Sequence, residues 1–122
     1  MSLPHISDAE LEVMKVLWEF GEATSAQIVF ALEHFCQWKP KTIQTLIARL
    51  VQKQAVSADK DNRAFIYRPT VTEEQYRVVA FQDFLARRCN GSLVLLFSTL
   101  LDNQALTADD VRRLKRVLDA AK

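Results

Sequence analysis

The sequence predicts a mainly α-helical protein with one small β-hairpin: a winged helix-turn-helix domain followed by a helical dimerisation domain. Three observations predict it. Four hydroxyl residues are each followed three positions later by a side chain able to close a capping box: Ser7 with Glu10, Thr24 with Gln27, Thr72 with Gln75 and Thr107 with Asp110. The hydrophobic period changes from 3.6 to 2 just after Lys53 and stays there until Pro69. Beyond Pro69 the pattern is helical throughout.

The first capping box opens a helix running to about Phe20, with Leu11, Met14, Leu17 and Trp18 on its inner face, and Gly21 ends it. The second opens a helix to about Phe35, with Ile28, Leu32 and Phe35 inward. Pro40 suits the first position of a third helix, where its missing N–H would have no partner anyway. There Ile43, Leu46, Ile47, Leu50 and Val51 form one apolar stripe at i, i+3, i+4, i+7 and i+8. Val56, Ala58 and Lys60 alternate with Ser57 and Asp59, Asp61 and Asn62 make a turn, and Phe65, Ile66 and Tyr67 form the returning strand. These elements assemble a winged helix over residues 1–70, in which Trp18 and Trp38 are expected to pack rather than bind.

The third helix carries the functional signal. Outside its apolar stripe lie Lys41, Thr42, Gln44, Thr45, Ala48, Arg49, Gln52 and Lys53, a face without a carboxylate. Small polar and long basic side chains near a helix N-terminus suit a recognition helix in a major groove, and the positive helix end suits phosphate. Lys60 and Arg63, at the hairpin tip, are placed to grip a phosphate backbone beside it. The chain carries a net charge of only +1, yet residues 37–68 hold seven basic groups against two carboxylates, while residues 1–36 hold one against six. The positive field is therefore local. The competing reading is a winged-helix protein-interaction module without sequence-specific DNA binding, whose basic face would suit a carboxylate-rich partner.

Other classes find little support. Cys36 and Cys89 are far apart and outside any Cys-x-x-Cys pair, so they read as reduced thiols. His5 and His34 are the only histidines, and a His-x-Cys spacing at His34 and Cys36 is a weak metal signal. With two glycines in the chain and no loop suited to oxyanion donors, no catalytic residue, metal site or cofactor is expected. No run of about 18 apolar residues exists. The opening MSLPHIS lacks the charged and apolar regions of a secretory signal, so the expected location is the cytoplasm.

Residues 71–122 are expected to form three helices: from Thr72 to about Cys89, stopped by Asn90 and Gly91; from Leu93 to Leu101; and from Thr107 onward. Three such helices cannot bury SLVLLFSTLL together with Phe81, Phe84 and Leu85 against one another. A second copy is the expected sink, through Phe81, Phe84, Leu85, Leu96, Phe97, Leu100, Leu114 and Leu118. Two winged modules on one dyad would also multiply base contacts.

The run ISDAELEVMKVLW, the segment WKPKTIQTLIARL, the IYRP at the wing's end and NGSL after the long helix together resemble the BlaI/MecI penicillinase-repressor family, which includes CopY-type copper-responsive repressors. The resemblance covers nearly the whole chain. It implies a cytoplasmic bacterial repressor binding double-stranded DNA as a homodimer, at palindromic operators with TACA and TGTA half-sites. By position it places Lys41, Thr42 and Thr45 in the groove, with Lys39, Arg49, Lys60 and Arg63 on phosphates; Thr45 and Gln44 are the best candidates for base contacts. In the β-lactam branch the resemblance implies a sensor-protease partner and cleavage of an Asn-Phe bond. Counting from NGSL, that bond falls at Thr99-Leu100, where both residues differ. The Cys-x-Cys motifs of the copper branch have no counterpart after Cys89. Gln54 and Asn62 stand where winged helices favour glycine; in a left-handed backbone Gln54 would cost on the order of 1 kcal/mol.

Overall fold

The computed structural model describes residues 3–121. Its elements run α1 (Asp8–Phe20), α2 (Ser25–Glu33), α3 (Pro40–Gln52), β1 (Val56–Asp61), β2 (Ala64–Pro69), α4 (Glu73–Arg88), α5 (Leu93–Asp102) and α6 (Ala108–Ala120). They divide into two units, Met1–Val79 and Ala80–Lys122, the division falling inside α4.

Local chemistry sets the helix ends. The Ser7 hydroxyl accepts the Glu10 N–H (3.1 Å) while the Glu10 carboxylate accepts the Ser7 N–H (2.9 Å). Thr24 with Gln27, Thr72 with Gln75 and Thr107 with Asp110 close the same reciprocal box. Gly21 ends α1 at φ +82°, a left-handed conformation that a side chain would strain.

In the first unit the inner faces of α1, α2 and α3 enclose Val13, Met14, Leu17, Ile28, Leu32, Ile43, Ile47 and Leu50, all buried, with Ala55 and Val56 closing the core from the hairpin side. β1 and β2 pair antiparallel, Val56 opposite Pro69 through Asp61 opposite Ala64. The strand therefore runs one residue further than expected. The turn is Asn62-Arg63 rather than Asp61-Asn62, with Asn62 taking the positive φ (58°).

One expected core residue is not in the core. Phe35 is 79% exposed, because α2 ends at Glu33 and the chain turns before Phe35 can continue the Ile28 and Leu32 stripe. Cys36 packs against the core instead, its N–H donating to the Leu32 carbonyl at 2.8 Å. Both tryptophans pack as expected. Trp18 also donates from Nε1 to the Val71 carbonyl (2.7 Å) and sits 5.6 Å from the Tyr76 ring, which draws the first turn of α4 onto the winged helix.

In the second unit α5, α6 and the rest of α4 contain no fully buried residue among those described; Cys89, between α4 and α5, is buried. Asn90 (φ 52°) and Gly91 (φ 75°) end α4 in left-handed conformations. Among the described residues no single helix is long and apolar enough to cross a membrane.

Candidate nucleic-acid interface

At about 100° per residue, Ile43, Leu46, Ile47 and Leu50 point α3 into the core, where all four are buried. Lys41, Thr42, Gln44, Thr45, Ala48, Arg49 and Gln52 occupy the opposite arc, roughly 160° wide on the same geometry, and every one is exposed. The helix is strongly amphipathic, and no acidic residue stands in its first turn.

The start of α3 differs from the other helices. Each of α1, α2, α4, α5 and α6 has a hydroxyl side chain accepting a backbone N–H at its N-terminus, whereas Lys39, at the N-cap of α3, makes no side-chain cap hydrogen bond. Pro40 removes one orphan donor; the N–H groups of the next residues are left to outside acceptors. Lys39 and Lys41, both exposed, flank this end. Uncapped donors, the positive end of the helix dipole and two ammonium groups form an anion-attracting constellation.

Thr45 folds its hydroxyl back onto the helix, donating to the Lys41 carbonyl at 3.0 Å. Its methyl group is thereby the free end of the side chain. Gln44 lies at one edge of the exposed arc and, with Ala48, lines a groove of about 420 Å³ between α3 and the hairpin. Ile47, Val51, Ala58, Phe65, Tyr67 and Ser25 complete its walls. The hairpin thus stands directly beside the carboxylate-free face. It is anchored there by a third short rung: Ala23 and Tyr67 exchange backbone hydrogen bonds of 3.0 and 2.8 Å. Lys60 on β1 and Arg63 in the turn are exposed.

Not every basic group of this segment faces outward. Arg68 bridges Glu22 and Asp59, each at 3.0 Å, and braces the hairpin against the end of α1. Lys53 reaches back to Glu10 at 2.6 Å and does not belong to the exposed polar face, contrary to expectation. Among the described residues, Lys39, Lys41, Arg49, Lys60 and Arg63 carry no ion pair. The expected field of seven cations is therefore a field of five with two internal braces. The Lys53–Glu10, Arg68–Glu22 and Ala23–Tyr67 contacts each join residues more than 40 positions apart, and neither periodicity nor charge spacing reports such pairs.

The family profile of the penicillinase repressors matches residues 6–120. The chain belongs to that family. It is 38% identical over 120 residues to the penicillinase repressor of Bacillus licheniformis, covering 98% of this chain and 94% of that protein. It is 31% identical over 114 residues to the methicillin resistance regulatory protein MecI of Staphylococcus aureus strain N315, covering 93% of each. Its structure is similar to the solution structure of the monomeric form of Bacillus licheniformis BlaI in complex with the blaP half-operator. There the TM-score is 0.56 and the identity 43%, covering 62% of this chain and 92% of that one.

The remaining candidates separate cleanly. Phe81, Phe84 and Leu118 are exposed in the second unit, and Leu85, Leu96, Phe97, Leu100 and Leu114 are half-buried. Thr99 and Leu100 lie inside α5, where the Thr99 hydroxyl donates to the Leu95 carbonyl at 2.8 Å. Burial pushes the Cys36 thiol up, so it is a poor nucleophile at neutral pH. Among the described residues no cluster of His, Cys, Asp or Glu is placed to hold a metal ion.

Proposed function

We propose that this chain is a dimeric transcriptional repressor that binds a short palindromic operator in double-stranded DNA and has no enzymatic activity. The observation that carries the reading is α3: a fully exposed, carboxylate-free face leading from the only helix start in the described residues without a side-chain cap. Lys39, Arg49, Lys60 and Arg63 are the phosphate contacts, and Lys41 enters the groove beside Thr42 and Thr45. Thr42, Gln44 and Thr45 read bases, with the Thr45 methyl suited to thymine and the Gln44 amide to adenine. The similarity to a half-operator complex of a 43% identical domain supports the same use of the same elements.

Dimerisation is supported by the second unit, whose apolar side chains stay uncovered: Val94 is 76% exposed, Val117 and Leu118 65% and Phe81 62%. Monomers rarely leave contiguous apolar area of this kind, and a second copy would cover it with the same residues on both sides. A protein of this kind works in the cytoplasm, where its operator is. A sensor-protease partner would have to accept Thr99-Leu100 in place of an Asn-Phe bond.

The test is fluorescence anisotropy of a labelled duplex carrying a TACA/TGTA dyad against a scrambled duplex. A dimer neutralising roughly 6 to 10 phosphates should lose about 10³ to 10⁵ in affinity between 50 and 200 mM salt. Arg49→Ala should weaken both duplexes and flatten the salt slope, whereas Thr45→Ala should relax preference at one operator position. Equal, salt-insensitive binding to both duplexes would sink the proposal.

A further inference from the structure

Lys53 follows the last residue of α3, yet its ammonium turns away from the exposed arc. It donates to the Glu10 carboxylate at 2.6 Å and to the His5 carbonyl at 3.0 Å. Glu10 is 2% exposed, the one buried charged residue among those described. A carboxylate is stable out of water only when it is paired and hydrogen-bonded, and Glu10 has both a cation and a backbone N–H as partners. The same Oε1 that accepts from Lys53 also accepts the Ser7 N–H of the α1 capping box. One oxygen therefore joins the start of α1 to the end of α3, across 43 residues of sequence.

The apolar stripe of α3 holds the helix against the core, but dispersion contacts are weakly directional and tolerate small slides and rotations. A short charge-assisted hydrogen bond does not. A helix that reads base edges must be held within about 0.5 Å of its productive position.

We propose that Glu10 and Lys53 are positioning residues for operator reading: the ion pair between half-buried Lys53 and buried Glu10 sets the axial position of α3, and neither residue touches DNA. The inference rests on the operator-binding reading above. It separates Lys53 from Lys41 and Arg49, which belong to the same basic helix, and it gives Glu10 a role in sequence discrimination although its side chain is buried.

The experiment measures affinity of the full chain for the dyad and the scrambled duplex at about 50 and 200 mM salt, well below each variant's melting temperature. Four variants are compared: Lys53→Met, Lys53→Arg, Glu10→Gln and the Glu10→Gln/Lys53→Met double. Glutamine can still close the capping box, as Gln27 does with Thr24, so Glu10→Gln removes the charge while sparing the cap. The expected result is a loss of dyad preference on the order of tenfold for Lys53→Met and a smaller loss for Glu10→Gln, as for a charge-assisted hydrogen bond removed. The salt slope should stay unchanged, the double should be no worse than Lys53→Met, and Lys53→Arg should recover most of the preference.

Melting temperatures that fall while dyad preference stays at the wild-type ratio would overturn the inference and leave the pair merely structural. Lys53→Met that lowers the salt slope, beside an inert Glu10→Gln, would overturn it by making Lys53 a phosphate contact. If the wild-type chain fails to distinguish the duplexes, the functional reading falls, and the inference with it.

Discussion

Gln54→Gly should stabilise the winged-helix unit, and the structure fixes the size of the effect. Gln54 follows the C-cap of α3 at φ +66°. Its N–H donates to the Val51 carbonyl (3.0 Å), and the N–H of Ala55 donates to the Leu50 carbonyl (3.0 Å). This is a Schellman ending with the wrong residue at its left-handed position, sealed by the buried Leu50 and Ala55. The backbone is further held by the Thr70 hydroxyl, which donates to the Gln54 carbonyl at 2.6 Å, so it has little freedom to escape the strain.

The left-handed conformation costs a residue with a Cβ about 1–2 kcal/mol. Glycine removes that cost but brings about 0.5–1 kcal/mol of extra entropy to the unfolded chain. The net gain is about 0.5–1 kcal/mol, because the Gln54 side chain is exposed and makes no hydrogen bond among the described residues. For a domain of roughly 60–100 residues that is a rise in Tm of about 2–8 °C. Thermal unfolding followed by circular dichroism measures it, with Asn62→Gly as the internal control. Asn62 also has positive φ (58°), but asparagine tolerates it, so its gain should be smaller. An unchanged or lowered Tm for Gln54→Gly, with native helicity retained, would refute the reasoning. The ending recurs after α5, where Gln104 (φ 56°) donates to Leu101 and Ala105 donates to Leu100.

Three further outcomes are expected. Trp18→Phe keeps the ring against the core but leaves the Val71 carbonyl without its indole donor, and urea denaturation should show a loss of about 1–3 kcal/mol. Acid should weaken the fold through Glu10: desolvation raises its pKa, but hydrogen bonds from Lys53 and Ser7 outweigh it and hold the group below its ordinary value. A depressed folded pKa gives stability that is present above the unfolded value and disappears as pH falls through the folded one. Stability measured against pH should therefore drop below the ordinary glutamate range in the wild type and drop less in Glu10→Gln; identical profiles would contradict the pairing. Phe35→Ser should change stability by less than about 0.5 kcal/mol, as at an exposed site; a cost above about 2 kcal/mol in chemical denaturation would put Phe35 back in the core.

Sequence alone determined what is local. A capping box closes within four residues, so Ser7, Thr24, Thr72 and Thr107 announced their helices without any tertiary information. The apolar stripe of α3 and the period change after Lys53 were legible for the same reason: both are repeats along one chain segment. They place Lys41, Thr42, Gln44, Thr45 and Arg49 on one face of the helix, and all five are exposed. What tertiary structure decided is whatever depends on a partner distant in sequence. Phe35 had the right spacing for the core and missed it because the helix stopped two residues earlier, a matter of how α2 meets α3. Lys53 and Arg68 had the same charge as Arg49, but only folding brought Glu10 to one and Glu22 with Asp59 to the other. Charge composition counts cations; the fold chooses which of them remain free, because a carboxylate close by in space neutralises a cation whatever their separation along the chain.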